Sequence, residues 1–400
     1  NIRIIYENIP SAHKPQIVYA GNSDLVEIAK VELDAGEDLH LAGNIQPQFG
    51  AEDLSVAWKA MCAAFERLRL WQVPGLETLQ TRLDSPVLPS LFAASRIVRL
   101  LDRTNPDGKG VLALEVNPAT TGIILAHGSD FLALRDTAGL TGADWQGVQK
   151  LCAQPVEAGQ AQAYAENLKI HPTFLPASLE DQAIHQALAR ARIRAALLQA
   201  KTLFDWLPYD AKSGLQAAYE PIILSGEVLT DEAQAHQALL IALDGLQHHG
   251  ITTFVLDRFN ILPALGSLAE VEPLLAVQVI DSGIFQNLGT AICADSVGLK
   301  GRRILTIEVD EGKEERQHLQ LRKGELMRVE VPQKARTRLY LAPTPGTDVG
   351  MGMAGLGGWV TVSGAEVGVV IDGRGRPIVL PDDDKTRVEA LQNWQWELES

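Results

Sequence analysis

The spacing of apolar and polar positions divides the chain into stretches of different character. In the first hundred residues, short apolar runs alternate with helical spacing. Gln16 to Asn22 reads as a short buried strand ending at a Gly-Asn turn, Leu25 to Leu33 as a helix, and Asp38 to Ala42 as another strand. Leu54, Ala57, Met61, Ala64, Phe65 and Leu68 recur at helical spacing from Asp53 onward. Pro86 and Pro89 bracket a loop, and Leu91 to Leu101 is a second amphipathic helix. The turn Asn105-Pro106-Asp107-Gly108 is a natural boundary.

Val111 to Leu125, VLALEVNPATTGIIL, is the most structured stretch. Val111 to Leu114 and Val116 form a run that suits a strand covered on both faces. Asn117-Pro118 breaks it, because proline fixes its own φ and disfavours helical geometry before it. Ile123 to Leu125 resume the run, and Phe131 to Leu134 extend it as a third strand. Glu115 sits inside this apolar context, so it needs a salt-bridge partner or faces a metal.

Further on, Gly139 to Gly147 and Leu168 to Pro176 read as loops. Ser178 caps a long helix, with Asp181 three positions later. Arg190, Arg192 and Arg194 on that helix read as a solvated face; alternate helix positions do not converge on one phosphate. Glu220 to Leu224 is a strand entering Ser225-Gly226, and Thr230 is the expected N-cap of a helix from Asp231 to His248. Adjacent His248 and His249 suit the C-terminal end of a helix dipole better than a metal. Ile251 to Leu256 is a strand, Leu262 to Val271 a helix, and Ala276 to Ile280 a further strand.

From about Asp295 the period becomes two. Leu305, Ile307 and Val309, then Leu319 and Leu321, Val329 and Val331, and Leu339 and Leu341 describe an antiparallel β module. Gly346 to Gly358 is a loop, Asp372 to Pro377 a turn with Arg374 and Arg376 exposed at its tip, and the last segment from Asp384 a helix.

Four hundred residues predict two or three domains. The formal charge of −15 argues against nucleic acid or an anionic membrane as a partner. Cys62, Cys152 and Cys293 lack the spacing of a disulfide framework or zinc site, which fits a cytoplasmic protein. No apolar run is long enough to span a membrane. The start at Asn1, directly in an apolar segment, points to a trimmed or processed chain.

Two turns carry candidate chemistry. Glu115, Asn117, Thr120 and Thr121 have the layout of a phosphate hairpin, in which an acid holds a metal and backbone donors and hydroxyls meet phosphate. Ser225-Gly226 lies at a strand end before a helix; in ATP sites of the actin and Hsp70 kind, which this layout resembles, that position meets the adenosine. Together with VYAGN (Val18 to Asn22), the stretch from Asn167 to Arg190, GITTFVLDRFNILPALGSLA from Gly250, AVQVIDSGIFQNLGT from Ala276 and VVIDGRGRPIVLP from Val369, these motifs resemble the glutamate mutase L family. Its members are actin-like ATPase-fold accessory proteins of cobalamin-dependent mutases, and the resemblance spans nearly the whole chain.

The resemblance implies an α/β fold with actin/Hsp70-like (ribonuclease H-like) lobes followed by a β-rich module. Residues 1–108 would then be the C-terminal part of a first lobe, 109–294 the second lobe, 295–381 the β-rich module and 382–400 a C-terminal helix. It implies ATP or ADP with magnesium as cofactor, held by Glu115, Asn117, Thr120, Thr121, Ser225 and Gly226. The chain departs from that pattern in three ways. The hairpin reads Glu115-Val116-Asn117-Pro118 where the family has Asp, an apolar residue and Gly. Glu227 replaces the second glycine of Ser-Gly-Gly, and the family's first phosphate hairpin lies upstream of Asn1. These departures favour a non-catalytic or weakly nucleotide-binding scaffold acting through protein partners: an N-terminal part, a client mutase or itself. The alternative is a nucleotide-dependent reactivating ATPase whose site an N-terminal part completes. A mutase itself is disfavoured, since no Asp-x-His-x-x-Gly cobalamin loop occurs.

Overall fold

The computed structural model describes residues 2–10, 14–33, 35–48, 54–70, 72–83, 87–136, 140, 144–230, 234–310, 316–333 and 335–399. Its centre is an eight-stranded mixed sheet. From one edge the strands are Asp130–Asp136, Thr121–His127, Val111–Val116, Ile222–Ser225, Gly250–Leu256, Gln286–Cys293, Gly368–Asp372 and Leu326–Val329. The first three pair antiparallel, and Val111–Val116 then pairs parallel with Ile222–Ser225 and that strand with Gly250–Leu256. Gln286–Cys293 runs against Gly250–Leu256 and with Gly368–Asp372, which Leu326–Val329 closes antiparallel.

Helices on both faces explain why the central strands are apolar at consecutive positions. Leu112, Leu114 and Val116 face the helices Leu179–Leu203, Ala235–Leu246 and Asp384–Glu399. Val111 and Ala113 face Ser90–Thr104 and Leu262–Val271. The Ser178 hydroxyl accepts the Asp181 N–H and caps the longest helix as expected. A four-stranded antiparallel sheet, Gln317–Arg322, Arg303–Asp310, Arg336–Pro343 and Gly358–Ser363, follows the predicted period of two. Leu305, Ile307, Leu339 and Leu341 pack on Ile292, Val369 and Ile371 of the large sheet. Near the N-terminus, Ile17–Tyr19 and Leu39–Leu41 form a separate parallel pair, with the helix Val26–Leu33 between them in the chain.

Several expectations are corrected. The strand expected over 276–280 is the helix Pro273–Asp281. A short apolar run fits either state, and Pro273 at the first helical turn, where its missing N–H is not needed, favours the helix. Ile2–Glu7, which reads as an apolar, strand-like start, is helical. Asp144–Lys150 is a helix where the 139–147 loop is expected, and the helix Ala158–Ile170 takes in the first three residues of the expected 168–176 loop. Thr230 is not an N-cap. It ends the short helix Glu227–Thr230, where its hydroxyl donates to the Gly226 carbonyl, and Gln234 precedes the helix Ala235–Leu246. The expected helix starts at Asp53 and Asp231, Pro86 of the bracketed loop, and residues 139 and 141–143 of the 139–147 loop lie outside the described residues.

The largest correction concerns the arginines. Arg190, Arg192, Arg374 and Arg376 are all buried, not solvated. Arg190 Nε donates to Asp244 at 2.8 Å, and Arg194 donates to the Asp244 carbonyl at 2.8 Å. Arg374 bridges Asp244 at 2.7 Å and Asp372 at 2.8 Å, and Arg376 Nη2 reaches Asp372 at 3.1 Å. This network ties the turn after Gly368–Asp372 to two helices of the sheet's outer layer. Each guanidinium is tolerated there because a carboxylate or carbonyl meets it.

His248 is likewise no dipole-end charge, since it is fully buried. Its Nε2 lies 3.4 Å from Cys293 Sγ, and Arg376 Nη2 lies 2.9 Å from the same sulfur. Burial pushes the imidazole pKa down to about 3, helped by Arg376 and opposed by Asp372. Burial also pushes the Cys293 thiol up to about 12, so it stays protonated. Between about 6.5 and 3 the unfolded chain therefore binds a proton that the folded one refuses. Stability is complete above pH ~6.5 and falls as the pH drops below it, by about 1.4 kcal/mol per unit for this one group. Urea midpoints at about pH 7 and about pH 5 check this, with His248→Asn expected to flatten the profile. A flat wild-type profile would mean that the folded state accepts the proton.

Candidate functional site

The strand Val111–Val116 ends at Asn117, and the Asn117 N–H donates to the Thr120 carbonyl at 2.9 Å to close the hairpin. Glu115 finds its partner two strands away. Arg135 Nη2 donates to Glu115 Oε2 at 2.7 Å, and Asn117 Nδ2 donates to Oε1, also at 2.7 Å. The acid in the apolar strand is thus an ion pair at the sheet's end. Pro118 is buried, and its carbonyl accepts from the Arg192 guanidinium. Burial lowers the Arg192 pKa and Asp136 counters it.

The second turn presses against the first. Gly226 has φ +92°, and a Cβ there would lie 2.4 Å from the Val116 carbonyl oxygen, so only glycine permits this approach. The Gly226 N–H donates to Asn260 Oδ1 at 2.7 Å, and Ser225 Oγ lies 3.0 Å from the same atom. The Glu227 N–H donates to Asn117 Oδ1 at 3.2 Å and links the turns directly. Asn260 itself takes the left-handed φ of +51°, which asparagine tolerates better than most residues. It is placed by Asp257, whose buried carboxylate accepts the Ile261 and Leu262 N–H groups at 3.0 and 2.8 Å at the start of the next helix. Burial raises the Asp257 pKa, with these N–H groups pulling the other way.

Glu115, Asn117, Ser225 and Gly226 meet around one cleft of about 200 Å³ that Glu227 and Asn260 also line. Thr120 and Thr121 do not line it. Thr120 is half-buried in the turn, and Thr121 is buried with a hydroxyl that has no hydrogen-bond partner. The cleft is below the size of ordinary small-molecule pockets. Beside it, sharing Glu227, lies a wider groove of about 920 Å³ walled by residues 172–179, Pro118 and His185. His185 is held neutral by burial, its pKa lowered to about 4.

Electrostatically the two turns oppose a phosphate. Three backbone donors at the turns, those of Asn117, Gly226 and Glu227, are already bonded within the chain. Pro118 offers none. The Glu227 carboxylate has no hydrogen-bond or ion-pair partner among the described residues and projects its charge where the two openings meet. Asn260, Asp257, Arg135 and Arg192 escape a reading of the sequence. A lone Asn in the segment DRFN and one arginine among three on a helix carry no local mark of the turn they serve. Among the described residues no group of three or more His, Cys, Asp or Glu side chains is gathered to hold a metal ion. Among them, too, no helix is long and apolar enough to cross a membrane.

A family model described as "MutL protein" matches residues 1–133 and 141–284. No curated protein matches the sequence. Among solved structures, 47 chains match. One of them, described as "PilM-PilN type IV pilus biogenesis complex", is 14% identical over 57% of this chain, with a TM-score of 0.23. The match spans 59% of that chain.

Proposed function

The chain belongs to the glutamate mutase L family (MutL protein), and from that premise we propose that it is a non-catalytic, cytoplasmic accessory protein with an actin-like scaffold, acting through protein–protein contacts. The observation that carries the non-catalytic part is the mutual closure of the two turns. Donors that a phosphate would use are bonded to Asn260, Asn117 and Thr120 instead, and Glu227 adds a repelling charge. The strand order supports the actin-like reading. Counting only the strands of the large sheet in chain order from Val111–Val116, the third, second, first, fourth and fifth lie side by side, with an antiparallel start and parallel additions. That order is the ribonuclease H-like pattern. In this reading residues 1–108 belong to the C-terminal part of a first lobe, 109–294 to a second, 295–381 to a β-rich module whose strands Leu326–Val329 and Gly368–Asp372 extend the second lobe's sheet, and 382–400 to a closing helix.

A nucleotide-dependent reactivating role is the second reading. The unsatisfied Thr121 hydroxyl and the groove beside the cleft favour it. Calorimetric titration with Mg-ATP and Mg-ADP separates the two. The scaffold reading expects no saturable heat in the micromolar range. Micromolar, magnesium-dependent binding that Thr120→Ala weakens would sink it. The partner is tested by co-migration of the purified chain with a purified cobalamin-dependent mutase in size-exclusion chromatography, where separate elution excludes that client.

A further inference from the structure

A second cavity, of about 710 Å³, lies far along the sheet from the two turns and plays no part in the proposed scaffold function. It opens between the turn following Gly368–Asp372, the segment 295–300 and the hairpin at Lys323-Gly324. Its size suits a small organic molecule. Arg374 and Arg376 form part of its wall, with Lys300 and Lys323 beside them. The Lys323 ammonium donates to the Ser296 carbonyl. The Lys300 chain lies along Gly324, and its ammonium has no hydrogen-bond or ion-pair partner among the described residues. Val379, Leu380 and Trp394 supply an apolar wall, and the Arg374 guanidinium lies 4.8 Å over the Trp394 ring.

Charge counting around the cavity gives an excess of cations. Arg190, Arg374 and Arg376 share only the two carboxylates of Asp244 and Asp372, and Arg194 has merely the Asp244 carbonyl. Of the two lining carboxylates, Asp295 accepts the Arg376 backbone N–H at 3.2 Å, a neutral donor that leaves its charge in place. Asp295 and Asp382 are the two opposing charges on the wall, facing Lys300, Lys323, Arg374 and Arg376. On a chain of formal charge −15, a concave site with surplus guanidinium and ammonium charge is unusual, and anions are what such a site attracts.

We propose that this cavity binds a small phosphate monoester, its phosphate between Lys300 and Lys323 and its apolar body against Val379, Leu380 and Trp394. A dianion matches the paired ammonium groups better than a monoanion does. Isothermal titration of the full chain with phenyl phosphate, inorganic phosphate and benzoate tests it. Phenyl phosphate is expected to bind most tightly, inorganic phosphate about tenfold more weakly for want of the apolar wall, and benzoate more weakly still. Lys300→Ala and Lys323→Met should each weaken phenyl phosphate by about tenfold with the thermal midpoint unchanged, since both side chains reach solvent. Asp382→Asn should tighten it. The assignment fails if phenyl phosphate gives no saturable heat. It also fails if benzoate binds as tightly, or if Lys300→Ala weakens phenyl phosphate no more than Lys30→Ala, on the helix Val26–Leu33, does. Because the cavity shares no residue with the two turns, its failure would leave the reading of the chain as a scaffold intact.

Discussion

Replacing Asp372 by alanine is expected to destabilise the protein by about 3–5 kcal/mol, the usual consequence of leaving a buried charge without its partner. Asp372 is fully buried and receives Arg374 Nε at 2.9 Å, Arg374 Nη2 at 2.8 Å, the Arg374 N–H at 3.0 Å and Arg376 Nη2 at 3.1 Å. Burial by itself would raise its pKa, but Arg374 and Arg376 outweigh burial and hold the carboxyl well below the usual range. The contribution is therefore present above the unfolded carboxylate pKa and lost as the pH falls through the folded one. An exposed pair such as Lys169 and Glu166, 2.9 Å apart, contributes by contrast no more than about 1 kcal/mol. Urea unfolding of Asp372→Ala, Asp372→Asn and Asp372→Asn with Arg376→Met measures the coupling. The asparagine variant keeps some hydrogen bonds, and the double variant should recover part of the loss by removing one orphaned cation. A loss below about 1 kcal/mol for alanine would mean that the guanidinium groups reach water without their partner.

Gly266→Ala is expected to be the second severe substitution. The helices Leu262–Val271 and Ser90–Thr104 cross so closely that a Cβ at position 266 would lie 1.7 Å from the Ala93 carbonyl oxygen. The obstacle is backbone on a packed helix, so no side-chain rotation relieves it. The helices would have to separate and open the core around Ile97, Val98 and Leu265. Helix propensity favours alanine by up to about 1 kcal/mol, whereas overpacking usually costs about 1–3 kcal/mol and more when backbone must move. The clash therefore decides the sign, and a net loss of about 2 kcal/mol is expected. Gly159→Ala is the control, because nothing lies within 4 Å of its Cβ position in the helix Ala158–Ile170, and it should stabilise slightly. Equal midpoints for the two variants would show that the two helices part at little cost.

How much of this was legible depends on the distance over which each residue acts. The strand Val111–Val116, the Ser178 cap and the helix Leu262–Val271 rest on neighbours in sequence, and local spacing reveals them. The two turns holding Glu115, Asn117, Ser225 and Gly226 are legible one by one, because each carries its own Gly, Pro or Asn mark, whereas their meeting is implied only by the family resemblance. The way the turns are closed is not legible, since the acceptor of the Gly226 N–H is the side chain of Asn260. Arg190, Arg192 and Arg194 looked solvated because a helix window does not contain Asp244 or Pro118. Asp244 within the apolar helix Ala235–Leu246 was the available hint, a lone carboxylate that has to be answered from elsewhere. The helix Pro273–Asp281 was missed because apolar composition alone does not separate a short helix from a strand.

The pairing of Gln286–Cys293 with Gly368–Asp372 has a consequence for synthesis. While the intervening residues are still being translated, Gln286–Cys293 has a neighbour on one side only, and its other edge offers free N–H and C=O groups to any passing strand. Asp244 waits over the same interval for Arg374. A nascent chain halted before residue 372 would thus expose an adhesive β edge and an incompletely neutralised carboxylate together. Emergence of residues 368–376 from the ribosome is the moment at which both hazards end.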